Sequence, residues 1–68
     1  MLRITQERQR QNLSQSKLAR AADMNAAHLS ALEAGKLFPY PGWVDRLSKA
    51  LGVPGEDLFE EVDDDPAT

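Results

Sequence analysis

A chain of 68 residues with a formal net charge of −3 has room for one small domain. It contains no cysteine, which removes disulfides, iron–sulfur clusters, thiolate zinc sites and thiol catalysis together. No apolar run approaches the roughly 18–20 residues that a membrane span requires, and no signal-peptide core follows Met1, so a soluble, cytoplasmic protein is expected.

The charge is unevenly spread. Residues 1–50 hold all eight basic side chains against four acids, whereas residues 51–68 hold seven acids and no Lys or Arg. The first part is therefore basic and the end is an acidic tail, an asymmetry that the net charge conceals. A core of this size contributes only about 3–5 kcal/mol net, so association with a second copy or a ligand is expected to add to stability.

In chain order, the first helix is expected over residues 2–11, where straight-chain Gln, Glu and Arg dominate and Leu2 and Ile4 are the first apolar anchors. Ser14 is a good N-cap for a second helix over 15–22, with Leu18, Ala19 and Ala22 on one face. Asp23-Met24-Asn25 breaks the pattern. Asn25 can cap a third helix over 26–34, in which Leu29 and Leu32 repeat at i, i+3 and Gly35 supplies the stop. Neither of these two helices is long enough to stand alone in water, so each must pack on the rest of the chain.

Residues 36–42, with two prolines and a glycine, read as a loop. Trp43, Val44, Leu47, Ala50 and Leu51 then mark one face of a fourth helix that Gly52 terminates. A short fifth helix is expected at about 56–60, with Leu58 and Phe59 closing the core and Glu56 and Asp57 suiting its N-terminal dipole. From Glu61 the chain is too charged and too short to bury anything, so the expected division is a domain over 1–60 and an acidic disordered tail over 61–68.

Two short helices joined by a tight turn make a helix-turn-helix at about residues 15–34. Leu13, Ser14, Gln15, Leu18 and Ala19, then Leu29, Leu32, Glu33, Gly35 and Lys36, stand at the spacing of the phage-repressor and Cro-like (XRE) family, which this segment resembles. The likeness continues through Leu47, Ala50, Leu51, Gly52, Val53, Leu58 and Phe59 and covers about residues 2–59. It implies an all-α, five-helix, lambda-repressor-like domain that binds duplex DNA with its third helix in the major groove. It also implies an ion pair between Arg8 and Glu33. Asn12 and Asp23 stand where the family prefers glycine; both residue types tolerate a left-handed backbone.

The candidate DNA contacts are Gln15 and Ser16 at the first turn of the second helix, Asn25, Ala26, Ala27, Ser30 and Ala31 on the outer face of the third, and Lys36 just past its end. Free N–H groups and the Gln15 amide can take a phosphate. Alanines can read a thymine methyl, while Ser30 and Asn25 can hydrogen-bond, so readout would be apolar and dependent on DNA shape. Lys17 and Arg20 would add positive field. His28, alone and without cysteine nearby, is a packing or phosphate residue and not a metal ligand; Trp43 belongs to the core, while Tyr40 has no assigned partner. The acids at 63–65 lack the spacing and glycine of a calcium loop. No Gly-rich phosphate loop and no nucleophile with a convincing base is present, so no enzyme, cofactor or metal is expected.

The reading is a small transcriptional regulator, acting as a repressor and binding DNA as a homodimer. The dimer surface is placed near the fifth helix or the loop at 37–40. The alternative is a protein-interaction module, antitoxin-like or regulatory, on the same scaffold.

Overall fold

The computed structural model describes residues 1–62. Four α-helices follow one another: α1 (Arg3–Arg10), α2 (Gln15–Ala21), α3 (Ala26–Glu33) and α4 (Pro41–Leu51). A single 3-10 turn, Gly55–Asp57, stands where a fifth helix was expected. Among the described residues there is no strand beyond an isolated antiparallel bridge between Leu2 and Glu61.

Local chemistry sets the helix starts. The Ser14 hydroxyl accepts from the Lys17 N–H at 3.1 Å, and the Asn25 side-chain oxygen accepts from the Ala27 N–H at 2.7 Å. Each cap satisfies one of the donors that a helix start leaves free. At α1 no side chain caps the helix. Instead the Arg3 and Ile4 N–H groups donate to the Glu60 and Leu58 carbonyls at 2.9 and 2.8 Å. The far end of the chain thus serves as the cap of the first helix.

The helix ends share one device. Asn12, Asp23, Gly35 and Gly52 all take positive φ, between 54° and 75°. After each of them an N–H folds back onto the last turn: Leu13 to Arg8, Met24 to Ala19, Lys36 to Ala31 and Val53 to Ser48. Side chains from elsewhere satisfy further carbonyls at these ends. Gln11 Nε2 donates to the Leu51 carbonyl at 2.9 Å, and Arg46 Nε to the Ala22 carbonyl at 2.8 Å.

The fourth helix departs from the sequence expectation. It begins at Pro41, two residues earlier than Trp43, with Tyr40 as N-cap. Proline lacks the N–H that a first helical residue would leave unsatisfied, and its fixed φ is already helical. A proline read as a breaker is here a starter.

Six side chains are fully buried: Ile4, Leu18, Leu29, Leu32, Leu47 and Leu58, one or more from each helix and one from beyond the 3-10 turn. Ala19, Ala22, Leu51 and Val53 complete the core, and Trp43 and Phe59 pack partly against it. Small residues at 19 and 22 let α2 approach its neighbours closely; larger side chains would push the helices apart. The expected tail begins differently as well: the Val62 N–H donates to the Met1 carbonyl at 2.8 Å, so residues 61 and 62 lie against the N-terminus. The expectation for residues 63–68 falls outside the described residues.

Candidate nucleic-acid interface

Helix α3 has one apolar side and one outward side. Leu29 and Leu32 are fully buried, whereas Asn25, Ala27, His28, Ser30 and Ala34 are exposed. Ala26 and Ala31, expected on the outer face, are half-buried, and Ala26 packs against the core. The apolar stripe is wider than two leucines suggest, because a helix held between neighbours buries its flanks as well. The outward face is correspondingly narrower: Asn25, Ala27 and Ser30, with His28 to one side.

Glu33 ends α3 and anchors it. Its carboxylate accepts from Arg8 Nε at 2.9 Å, Arg8 Nη2 at 3.1 Å, the Thr5 hydroxyl at 3.0 Å and Gln15 Nε2 at 3.2 Å. The Arg8 fork is bidentate, the strongest geometry for such a pair. Arg8 Nη1 also donates to the Leu13 carbonyl at 2.9 Å, so one guanidinium joins α1, the α1–α2 turn and α3. The side chains are 13% and 6% exposed, and the pair is therefore an interior one. Its chemical consequence is local neutrality: the single carboxylate on α3 is spent inside the protein and presents little charge to an approaching anion.

Gln15 is drawn into this cluster. Its amide nitrogen faces Glu33 and the residue is half-buried, although its carbonyl oxygen and the free N–H groups of the first turn of α2 remain available. Ser16 beside it is exposed. Thr5 completes the cluster without having been legible as a site residue, since nothing in its local sequence marks a hydroxyl aimed at a residue 28 positions away.

The basic residues fall into two groups. Arg3 and Arg10 both contact Glu7, Lys49 contacts Asp45, Arg8 is held by Glu33, and Arg46 caps α2. Lys17, Arg20 and Lys36 are exposed and, among the described residues, have no ion pair. These three lie on α2 and just beyond α3, the helix pair that carries the candidate face. Ser16, Arg20, Asp23 and Met24 also line a shallow open groove at the α2–α3 turn.

The connection from α3 to α4 carries the largest exposed apolar groups in its neighbourhood. Phe38 is 64% exposed and Tyr40 56%. Their rings meet edge-on at 5.0 Å; Tyr40 meets Trp43 at 5.7 Å, and Trp43 meets His28 of α3 at 5.4 Å. Sequence reading gave neither Phe38 nor Tyr40 a contact of its own and placed a dimer surface near the fifth helix or the loop at 37–40.

Among the described residues no group of three or more His, Cys, Asp or Glu side chains is arranged to hold a metal ion, and no helix is long and apolar enough to cross a membrane. Comparison with protein families gives a match to a helix-turn-helix domain model over residues 2–61. No curated protein and no solved structure matches the chain significantly.

Proposed function

The chain belongs to the helix-turn-helix domain family, and from that premise we propose that it binds duplex DNA sequence-specifically as a small transcriptional regulator of the repressor and Cro-like branch. Helix α3 enters the major groove, with Asn25, Ala27 and Ser30 toward the base edges and Ala26 and Ala31 at the margins of the contact. Gln15, Ser16 and Lys36 position the domain on phosphates. Occupying its site is the direct consequence of such binding, and repression is the outcome that follows from it. It works in the cytoplasm as a homodimer, since one short helix reads few base pairs and a two-fold protein matches paired half-sites.

One observation carries this reading: among the described residues, the exposed cations whose side chains make neither an ion pair nor a hydrogen bond are Lys17, Arg20 and Lys36, on or next to the helix-turn-helix, while the other basic side chains are engaged. Free cations beside the helix that would enter the groove are what a polyanion partner requires. Selection from a random duplex library tests it. An enriched palindrome, altered by Ser30→Ala and bound with a steep salt dependence that Lys36→Ala reduces by about one counterion, is the expected result. A folded protein with no enrichment and a flat salt response would instead favour a protein-binding module on the same scaffold.

A further inference from the structure

The exposed aromatic pair on the α3–α4 connection leaves more than half of each residue outside the domain, although the Tyr40 ring also meets Trp43. Phe38 is 64% exposed and touches the Tyr40 ring. Two adjoining aromatic groups held outward form a small apolar patch that a partner can pack against. The rigidity is built in. Pro39 and Pro41 bracket Tyr40, whose N–H folds back to the Phe38 carbonyl at 3.0 Å. The pair is therefore presented at little further cost in conformational entropy.

Three observations identify what it meets. First, the aromatic string is continuous with α3: Phe38, Tyr40, Trp43 and His28 follow one another at 5.0, 5.7 and 5.4 Å, and His28 stands beside the outward face of that helix. Whatever α3 lies against, the loop flanks. Second, residues 34–44 contain no Asp or Glu and one Lys, so nothing in the segment repels a polyanion. Third, the patch is small: the two residues expose on the order of 250 Å², which suits a flanking contact and is, by itself, well short of the roughly 800 Å² each partner gives to a stable protein interface.

We propose that Phe38 and Tyr40 form an apolar contact on the deoxyribose wall of duplex DNA beside the groove that receives α3. This rests on the DNA-binding reading above and extends it to a second kind of contact. Between its phosphates the DNA backbone exposes sugar C–H surface, against which a ring face or edge can pack, and the Tyr40 hydroxyl can donate to a neighbouring phosphate oxygen. The contact adds affinity without reading sequence and without displacing counterions. It follows that its loss weakens binding alike on all duplexes and leaves the salt slope unchanged.

The experiment compares the full chain with Phe38→Ala and with the Phe38→Ala/Tyr40→Ala double variant. Each is titrated with a short mixed-sequence duplex across a series of salt concentrations, with helicity checked by far-UV circular dichroism. Phe38→Ala is the safer probe, because its ring contacts little of the fold. The double variant is expected to bind roughly tenfold more weakly with an unaltered slope, and NMR cross-peaks from the Phe38 ring to deoxyribose protons are expected in the wild-type complex. Wild-type binding matched by both variants would overturn the contact and leave the DNA-binding reading standing. No duplex binding by the wild type would overturn both. A shift from dimer to monomer in sedimentation equilibrium, accompanying the loss, would also overturn it and assign the patch to a second copy.

Discussion

At the scale of single residues, Glu33 is the most consequential side chain in the molecule. Four donors, from three residues on two helices, converge on its carboxylate. A pair this buried behaves unlike a surface salt bridge, which is worth about 0–1 kcal/mol. Removing one partner strands the other charge in the interior at a cost of about 3–5 kcal/mol, whereas replacing both by apolar groups is often neutral. Glu33→Ala is therefore expected to consume most of the stability of so small a domain. Arg8→Met combined with Glu33→Leu should lose much less than the two single changes added together. Urea unfolding of the four proteins measures the difference. A loss of under 1 kcal/mol in Glu33→Ala would mean that the pair is solvated and that α3 is held by its leucines alone. The engagement of Gln15 belongs to this scale too: it depends on Glu33, 18 positions away, and no local rule exposes it.

At the scale of elements, the legible features were those that local chemistry decides. Ser14 and Asn25 cap the helices they precede, and Gly35 and Gly52 stop the helices they follow, because a short polar acceptor or a left-handed backbone acts within a few residues. What sequence missed is tertiary. Pro41 starts α4 instead of delaying it, the expected fifth helix is one 3-10 turn, and α1 is capped by carbonyls from residues 58 and 60. A Cβ at Gly55 would stand 2.7 Å from Val44 Cγ1, so α4 and the 3-10 turn meet at a glycine for want of space. The candidate face divides in the same way. Leu29 and Leu32 as the inner stripe could be read from spacing, whereas the half-burial of Ala26 and Ala31 could not. One element carries a correctable strain. Asp23 holds φ at 54° in the helix-turn-helix turn, a conformation that costs a side-chain-bearing residue roughly 1 kcal/mol and glycine nothing. Asp23→Gly is expected to raise the melting temperature by about 4–8 °C. An unchanged or lower melting temperature would show that the added freedom of glycine in the unfolded chain offsets the relief.

At the scale of the whole molecule, charge is sorted along the chain and therefore in space. Among the described residues, the cations whose side chains have neither an ion pair nor a hydrogen bond lie on α2 and just past α3, while residues 56–61 bring four acids to the end of the fold, beside the N-terminus of α1. Three further aspartates follow at 63–65. In a domain this small, every surface charge would lie within a few Debye lengths of a bound DNA backbone, so the acidic end is expected to oppose the basic face at low salt and to be screened as salt rises. The sign matters for function. On the proposed function, this opposition is expected to weaken binding to any duplex alike, and so to lower nonspecific occupancy more than occupancy of a nearly saturated specific site at a given protein concentration. Changing Asp63, Asp64 and Asp65 together to Asn leaves the pairing of residues 61 and 62 with the N-terminus untouched, which deletion of the tail from residue 61 would not. The neutralised protein is expected to bind mixed-sequence duplex several-fold more tightly at low salt, with the advantage shrinking toward physiological ionic strength. Titration of both proteins over that range decides the matter: identical affinities at every salt concentration would show that the acidic residues exert no field at the DNA face, and their role would then lie in solubility alone.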